Sequence, residues 1–184
     1  MSLSKHELFQ QMLEQINLHH QPEYLPYFEN GEIEQVIVHK KSKLWSFQFV
    51  FDNVLPFEVF TALMNHMKIK FQSIATIDFQ IKTRKPILTN ESILDYWETV
   101  VQRSNISSPL VLSLFAKHTP VVLDNKVVIS VENEITKNHL ADNYLSIIQQ
   151  NYLVLGFPSF QITIEVDEAA SEARMAQYLA RKQE

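Results

Sequence analysis

The residues best suited to do chemistry are basic ones gathered between positions 39 and 70. His39-Lys40-Lys41-Ser42-Lys43 separates two β-rich runs, and Lys68 and Lys70 close a helical run that follows. Ammonium groups sharing one surface raise its potential and attract phosphates or carboxylates. The order of elements predicts that they meet: the first strand runs to the tip, the second runs away, and the helix returns. Lys40, Lys41, Lys43, Lys68 and Lys70 are therefore expected at one end, able to contact nucleic acid or an acidic partner. A plainer reading stands beside this one and is the commoner case. Hairpin tips carry charge for solubility, and lysines complement the negative end of a helix dipole. A further cluster, Lys82, Arg84 and Lys85, is expected at the opposite end of the same unit.

Other chemistries find little support. None of the seven histidines shows the i, i+4 spacing with a carboxylate that zinc hydrolases use, and His19-His20 reads as a helix-end pair. No Gly-x-Ser-x-Gly elbow occurs. Gly31 and Gly156 are the only glycines, too few for a P-loop or dinucleotide fingerprint. There is no cysteine, which excludes disulfides and thiolate metal sites. The carboxylates are scattered, without a paired-acid pattern. No catalytic residue, metal ligand, cofactor or small-molecule substrate is expected. Trp45, Phe47 and Phe49 could form a base-stacking platform, but their alternation with polar residues is the pattern of a buried sheet face.

With 184 residues, 46% hydrophobic and 20% charged, the chain can bury one large core or two small ones. A net charge of -5 argues against a protein that coats nucleic acid nonspecifically. The start lacks the apolar core of a signal peptide and every apolar run is interrupted by charge, so a cytoplasmic protein with no membrane contact is expected.

These positions must be held by regular elements. Ser4-Lys5-His6-Glu7 is a capping box, and Leu8, Met12 and Ile16 give the stripe of a first helix ending near His19. Glu32–Val38 and Leu44–Phe51 form a hairpin. Pro56 opens a helix, and Ala75, Ile77, Phe79 and Ile81 alternate in a strand. Thr83-Arg84-Lys85-Pro86 closes that unit. Asn90 is expected to cap a helix, and Ser108-Pro109 to start another. A second hairpin turns at Asp124-Asn125 and runs on to Ile135. Thr136 opens a further helix, and Phe160, Ile162, Ile164 and Val166 alternate in a last strand. The fold class is α+β. Two small domains, 1–85 and 86–167, are each built on strand, strand, helix, strand, and 168–184 is a linker helix.

The opening Met-Ser-Leu-Ser-Lys-His-Glu-Leu-Phe-Gln-Gln, with Gly31-Glu32-Ile33-Glu34, His39-Lys40-Lys41-Ser42-Lys43 and Leu55-Pro56-Phe57-Glu58-Val59, resembles the N-terminus of the PolC-type DNA polymerase III alpha subunit of low-GC Gram-positive bacteria. The likeness runs on to Val166-Asp167-Glu168-Ala169-Ala170-Ser171-Glu172 and covers essentially the whole chain. The resemblance implies a non-enzymatic piece of a replicative DNA polymerase with a 3′ to 5′ exonuclease. Two small domains would lie ahead of an OB-fold, the exonuclease and the polymerase core. It also implies kinship with truncated type II KH folds and with the C-terminal domain of the clamp-loader tau subunit. Helix, two strands, helix, strand over 108–166 is compatible with a KH-like second domain, although the Gly-x-x-Gly loop that clamps a nucleic-acid backbone is absent. The expected role is docking to a replisome protein, the tau subunit foremost. DNA contact through the basic hairpin tip is the alternative.

Overall fold

The computed structural model describes residues 2–167, 176 and 179–182, without the side chains of 141–143. The linker helix expected over 168–184 otherwise lies outside the described residues. The chain divides into two compact units, Met1–Ile87 with Tyr152–Pro158, and Leu88–Asn151 with Ser159–Glu184.

In the first unit, α1 (Lys5–Gln15) and α2 (Leu25–Phe28) precede β1 (Glu32–His39), β2 (Leu44–Phe51), α3 (Phe57–Phe71) and β3 (Thr76–Thr83). Ser4 caps α1 by accepting the Glu7 amide at 3.0 Å. The helix stops at Gln15, earlier than the apolar stripe suggested. Asn17 is left-handed (φ 61°), and the amides of Leu18 and Asn17 donate back to the Leu13 and Glu14 carbonyls at 2.9 and 3.2 Å. That reversal is a Schellman stop, sealed by buried Leu13 and Leu18. His19 and His20 therefore lie beyond a turn, where Nδ1 of His20 meets Nε2 of His19 at 2.7 Å on the exposed surface.

The three strands order as β1-β2-β3, with β1 antiparallel and β3 parallel to β2. A parallel neighbour needs a crossover, and α3 supplies it. Phe47, Phe49, Phe51, Ile77, Phe79 and Ile81 are buried on one face. Phe9 of α1 packs edge-on against Phe28, Phe49 and Phe51 at ring distances of 5.7, 6.0 and 5.4 Å. Each such side chain contributes about 1.5–3 kcal/mol by leaving water. Gly31 is required by it, because a Cβ there would lie 2.5 Å from the Phe9 ring.

Residues 152–158 complete this unit from far along the chain. Leu155 makes a parallel bridge to Ile81, and the Thr83 hydroxyl donates to the Gly156 carbonyl at 2.5 Å. Gly156 is left-handed (φ 95°), and a Cβ on it would press on Thr83 and Ile81. No local pattern in the sequence announces this long-range contact.

The second unit repeats the connectivity behind two helices, α4 (Asn90–Arg103) and α5 (Pro109–Lys117). Strands β4 (Val121–Leu123), β5 (Lys126–Val131) and β6 (Gln161–Val166) order as β4-β5-β6, antiparallel then parallel, with α6 (Glu134–Val154) between β5 and β6. Ser108 caps α5 as the sequence indicates, whereas α4 is capped by Thr89. Asn90 instead turns its carbonyl to the Val122 amide at 3.1 Å, tying α4 to β4. The strand β5 ends at Val131, short of Ile135. Asn133 accepts the Thr136 amide at 2.9 Å, which makes Asn133 the cap of α6. Inside, Trp97 donates to the Phe115 carbonyl at 2.9 Å and meets its ring edge-on.

Candidate docking surface

The basic tip is a four-residue loop, Lys40 to Lys43, joining β1 to β2. Lys43 closes it in the left-handed region, at φ 52°, and its carbonyl accepts the Thr76 amide at 2.8 Å. The start of β3 is thereby held at the tip. The helix α3 ends there too, since Phe71 in its last turn stacks near Trp45 and Phe47 at 5.6 and 5.9 Å. Lys68 and Lys70 occupy that same last turn. The structure thus places Lys40, Lys41, Lys43, Lys68 and Lys70 at one end of the sheet. All five are exposed, and none forms an ion pair among the described residues.

The opposite end is about 23 Å away, seven strand steps along β2, and it behaves differently. Arg84 pairs with Glu32 at 3.1 Å and Asp52 at 2.8 Å, and donates to the Asn30 carbonyl at 2.9 Å. Asn30 donates to the other Asp52 oxygen at 2.7 Å, while Lys82 reaches Glu34 at 3.3 Å. Hydrogen bonds from Asn30 and Arg84 hold the Asp52 carboxyl below its ordinary value of 3.8. Asn30, Glu32, Asp52 and Arg84, with His6 and Glu29, line an open recess of about 370 Å³. Arg84 is compensated there by Glu32 and Asp52, while exposed Glu29 and Lys85 form no ion pair among the described residues. The sequence flags Lys82, Arg84 and Lys85 but not the acids that meet the first two, because those come from separate strands and loops.

The base-stacking alternative for Phe47 and Phe49 fails, because both rings are buried under α1 and α3, and Trp45 is half-buried against Phe71. Among the described residues no cluster of three His, Cys, Asp or Glu side chains could hold a metal ion. Also among them, no helix is long and apolar enough to cross a membrane. In the second unit an apolar groove of about 480 Å³ lies between α4 and α5, lined by Leu94, Trp97, Val101, Leu112 and Ala116 among others.

Fold and surface together define a chain of two small α+β modules of ββαβ type, one of them with a lysine-rich end. The family DNA polymerase III polC-type N-terminus I matches residues 8–81, and the family DNA polymerase III polC-type N-terminus II matches residues 95–184. The chain is 44% identical over 172 residues to DNA polymerase III PolC-type of Latilactobacillus sakei, covering 94% of this chain and 12% of that protein. It is 31% identical to the proteins of that name in Lacticaseibacillus paracasei and Bacillus subtilis, over 100% and 96% of this chain. It spans 13% and 12% of those two relatives. No solved structure matches. The chain belongs to the PolC-type DNA polymerase III family, as its N-terminal region.

Proposed function

We propose that this chain is a noncatalytic docking module of a replicative DNA polymerase of PolC type, holding the polymerase to another replisome protein, the clamp-loader tau subunit first among candidates. One observation carries the reading. Five exposed lysines without ion-pair partners among the described residues stand at one end of the sheet, while Lys82 and Arg84 at the other end are paired with Glu34, Glu32 and Asp52. Exposed charge left uncompensated in this way steers and orients an acidic partner. The order α5, β4, β5, α6, β6 supports reading the second unit as a truncated type II KH relative. Without a Gly-x-x-Gly loop, it serves as a packing scaffold and not as a clamp on nucleic acid.

Titration of this chain with purified tau subunit tests the proposal. Saturable binding at micromolar concentration is expected. No binding, where the full-length polymerase binds in parallel, removes tau as the partner. The same lysines favour a second reading, auxiliary DNA contact through the tip. That reading predicts affinity for DNA that falls steeply with salt and vanishes on charge reversal of Lys40 and Lys41.

A further inference from the structure

Among the described residues, the β1 edge of the first unit's sheet pairs with no other segment. On β3 the outer edge is engaged in part, by the bridge to Leu155 and the Thr83 bond to Gly156. On β1 the outer edge carries no strand among the described residues, and its second half is exposed on both faces: Val36 40%, Ile37 39% and Val38 47%. Natural proteins blunt such edges with lysine, proline, bulges or very short strands. β1 is eight residues long and contains neither lysine nor proline, and its register shift falls between Ile33 and Gln35, ahead of the exposed part. The apolar, regular stretch therefore runs straight into the lysine tip.

We propose that the open edge of β1 from Gln35 to His39, with Lys40, Lys41 and Lys43 at its end, accepts an extended peptide strand of a partner protein. That strand would carry alternating apolar residues and a block of carboxylates. This deepens the docking proposal and rests on it. Strand addition derives affinity from main-chain hydrogen bonds, and selectivity from alternate side chains and flanking charge. Here Val36 and Val38 share one face and Ile37 the other, since they pair with Phe47, Trp45 and Ser46 respectively. The choice of occupant follows from charge. A second copy of this chain would bring its own β1, whose acids Glu32 and Glu34 are already engaged with Arg84 and Lys82. Paired antiparallel about a two-fold axis, its lysine tip would meet those engaged acids and find no free counter-charge. An acidic segment of another protein is complementary to the tip.

Two synthetic decapeptides test this, each a Thr-Val repeat with three aspartates, placed at the N-terminus in one and at the C-terminus in the other. Added to the isotope-labelled chain, one of them should shift the amides of residues 35–41 saturably and slow hydrogen exchange at the outward-facing ones. Lys40→Glu with Lys41→Glu should weaken that binding about tenfold. Of Ile37→Pro and Val38→Pro, the one whose N–H faces outward should leave the sheet folded and abolish binding. Failure of both peptides to bind at millimolar concentration overturns the proposal. So do shifts that map elsewhere, concentration-dependent shifts of these amides without peptide, or tighter, salt-sensitive occupation of the same amides by a twenty-nucleotide single-stranded DNA. Parallel titration with tau separates the two levels. Tau that binds the Lys40→Glu, Lys41→Glu chain as well as the unaltered one leaves the docking module standing and refutes its placement on β1.

Discussion

The two hairpins share one ladder pattern and differ at their tips. Asp124 and Asn125 join β4 to β5 in two residues, both left-handed at φ 50° and 62°. Such a turn matches the twist of the strands, and Asp and Asn are residue types that tolerate it. The β1–β2 tip is longer and ends on Lys43 at φ 52°, a position where lysine's side chain brings a steric cost and no local hydrogen bond. Strand lengths diverge in the same direction. β4 has three residues, whereas β1 has eight, with an exposed apolar end. The second hairpin is built for economy of fold. In the first, an eight-residue strand with an exposed apolar end leads into a lysine tip, the features on which the proposed docking role rests.

Changes in the first unit should separate fold from surface. The largest effect is expected for Phe49→Ala, which empties the centre of the aromatic cluster, where Phe49 contacts Phe9, Phe47, Phe51 and Phe79. A loss of about 3–5 kcal/mol is expected by denaturant unfolding followed at first-unit probes. Lys43→Gly should act in the opposite sense and raise stability by about 1 kcal/mol, because glycine adopts φ 52° without strain. The same change should weaken partner binding. A stability loss instead would mean that Lys43 is there for the fold, and the contrast between the two tips would lose its meaning.

The smallest effect concerns the neutralised end. The Asp52 carboxyl titrates below 3.8 in the folded chain, so its contribution is complete above that value and lost as pH falls through the lowered one. Asp52→Asn should therefore flatten the acid limb of the stability profile and leave the profile near neutrality almost unchanged. Partner affinity should not move, since Asp52 sits at the far end of β2 from the tip.

Much of the fold was legible because period-two and helical patterns are local. The core faces Phe47-Phe49-Phe51 and Ile77-Phe79-Ile81, the Asp124-Asn125 turn and the Ser108 cap all follow from neighbouring residues. Misplaced boundaries had local causes of another kind. Asn17 stops α1 through its backbone, not through its hydropathy. Thr89 outcompetes Asn90 as a cap because Asn90 is drawn to Val122. The 21 residues of α6 cannot reveal that 152–158 return to β3, because that contact depends on tertiary packing. For the candidate surface, the lysines and their shared end were readable from element order. The acids that neutralise Arg84 and the open edge of β1 were not, since both depend on which strands become neighbours in space.

The most direct test is amide-resolved hydrogen exchange on this 184-residue chain with and without saturating tau subunit. New protection should concentrate on residues 35–41 and leave the amides of β4 and its turn unchanged. Protection confined to the second unit, or spread evenly over both hairpins, would contradict it.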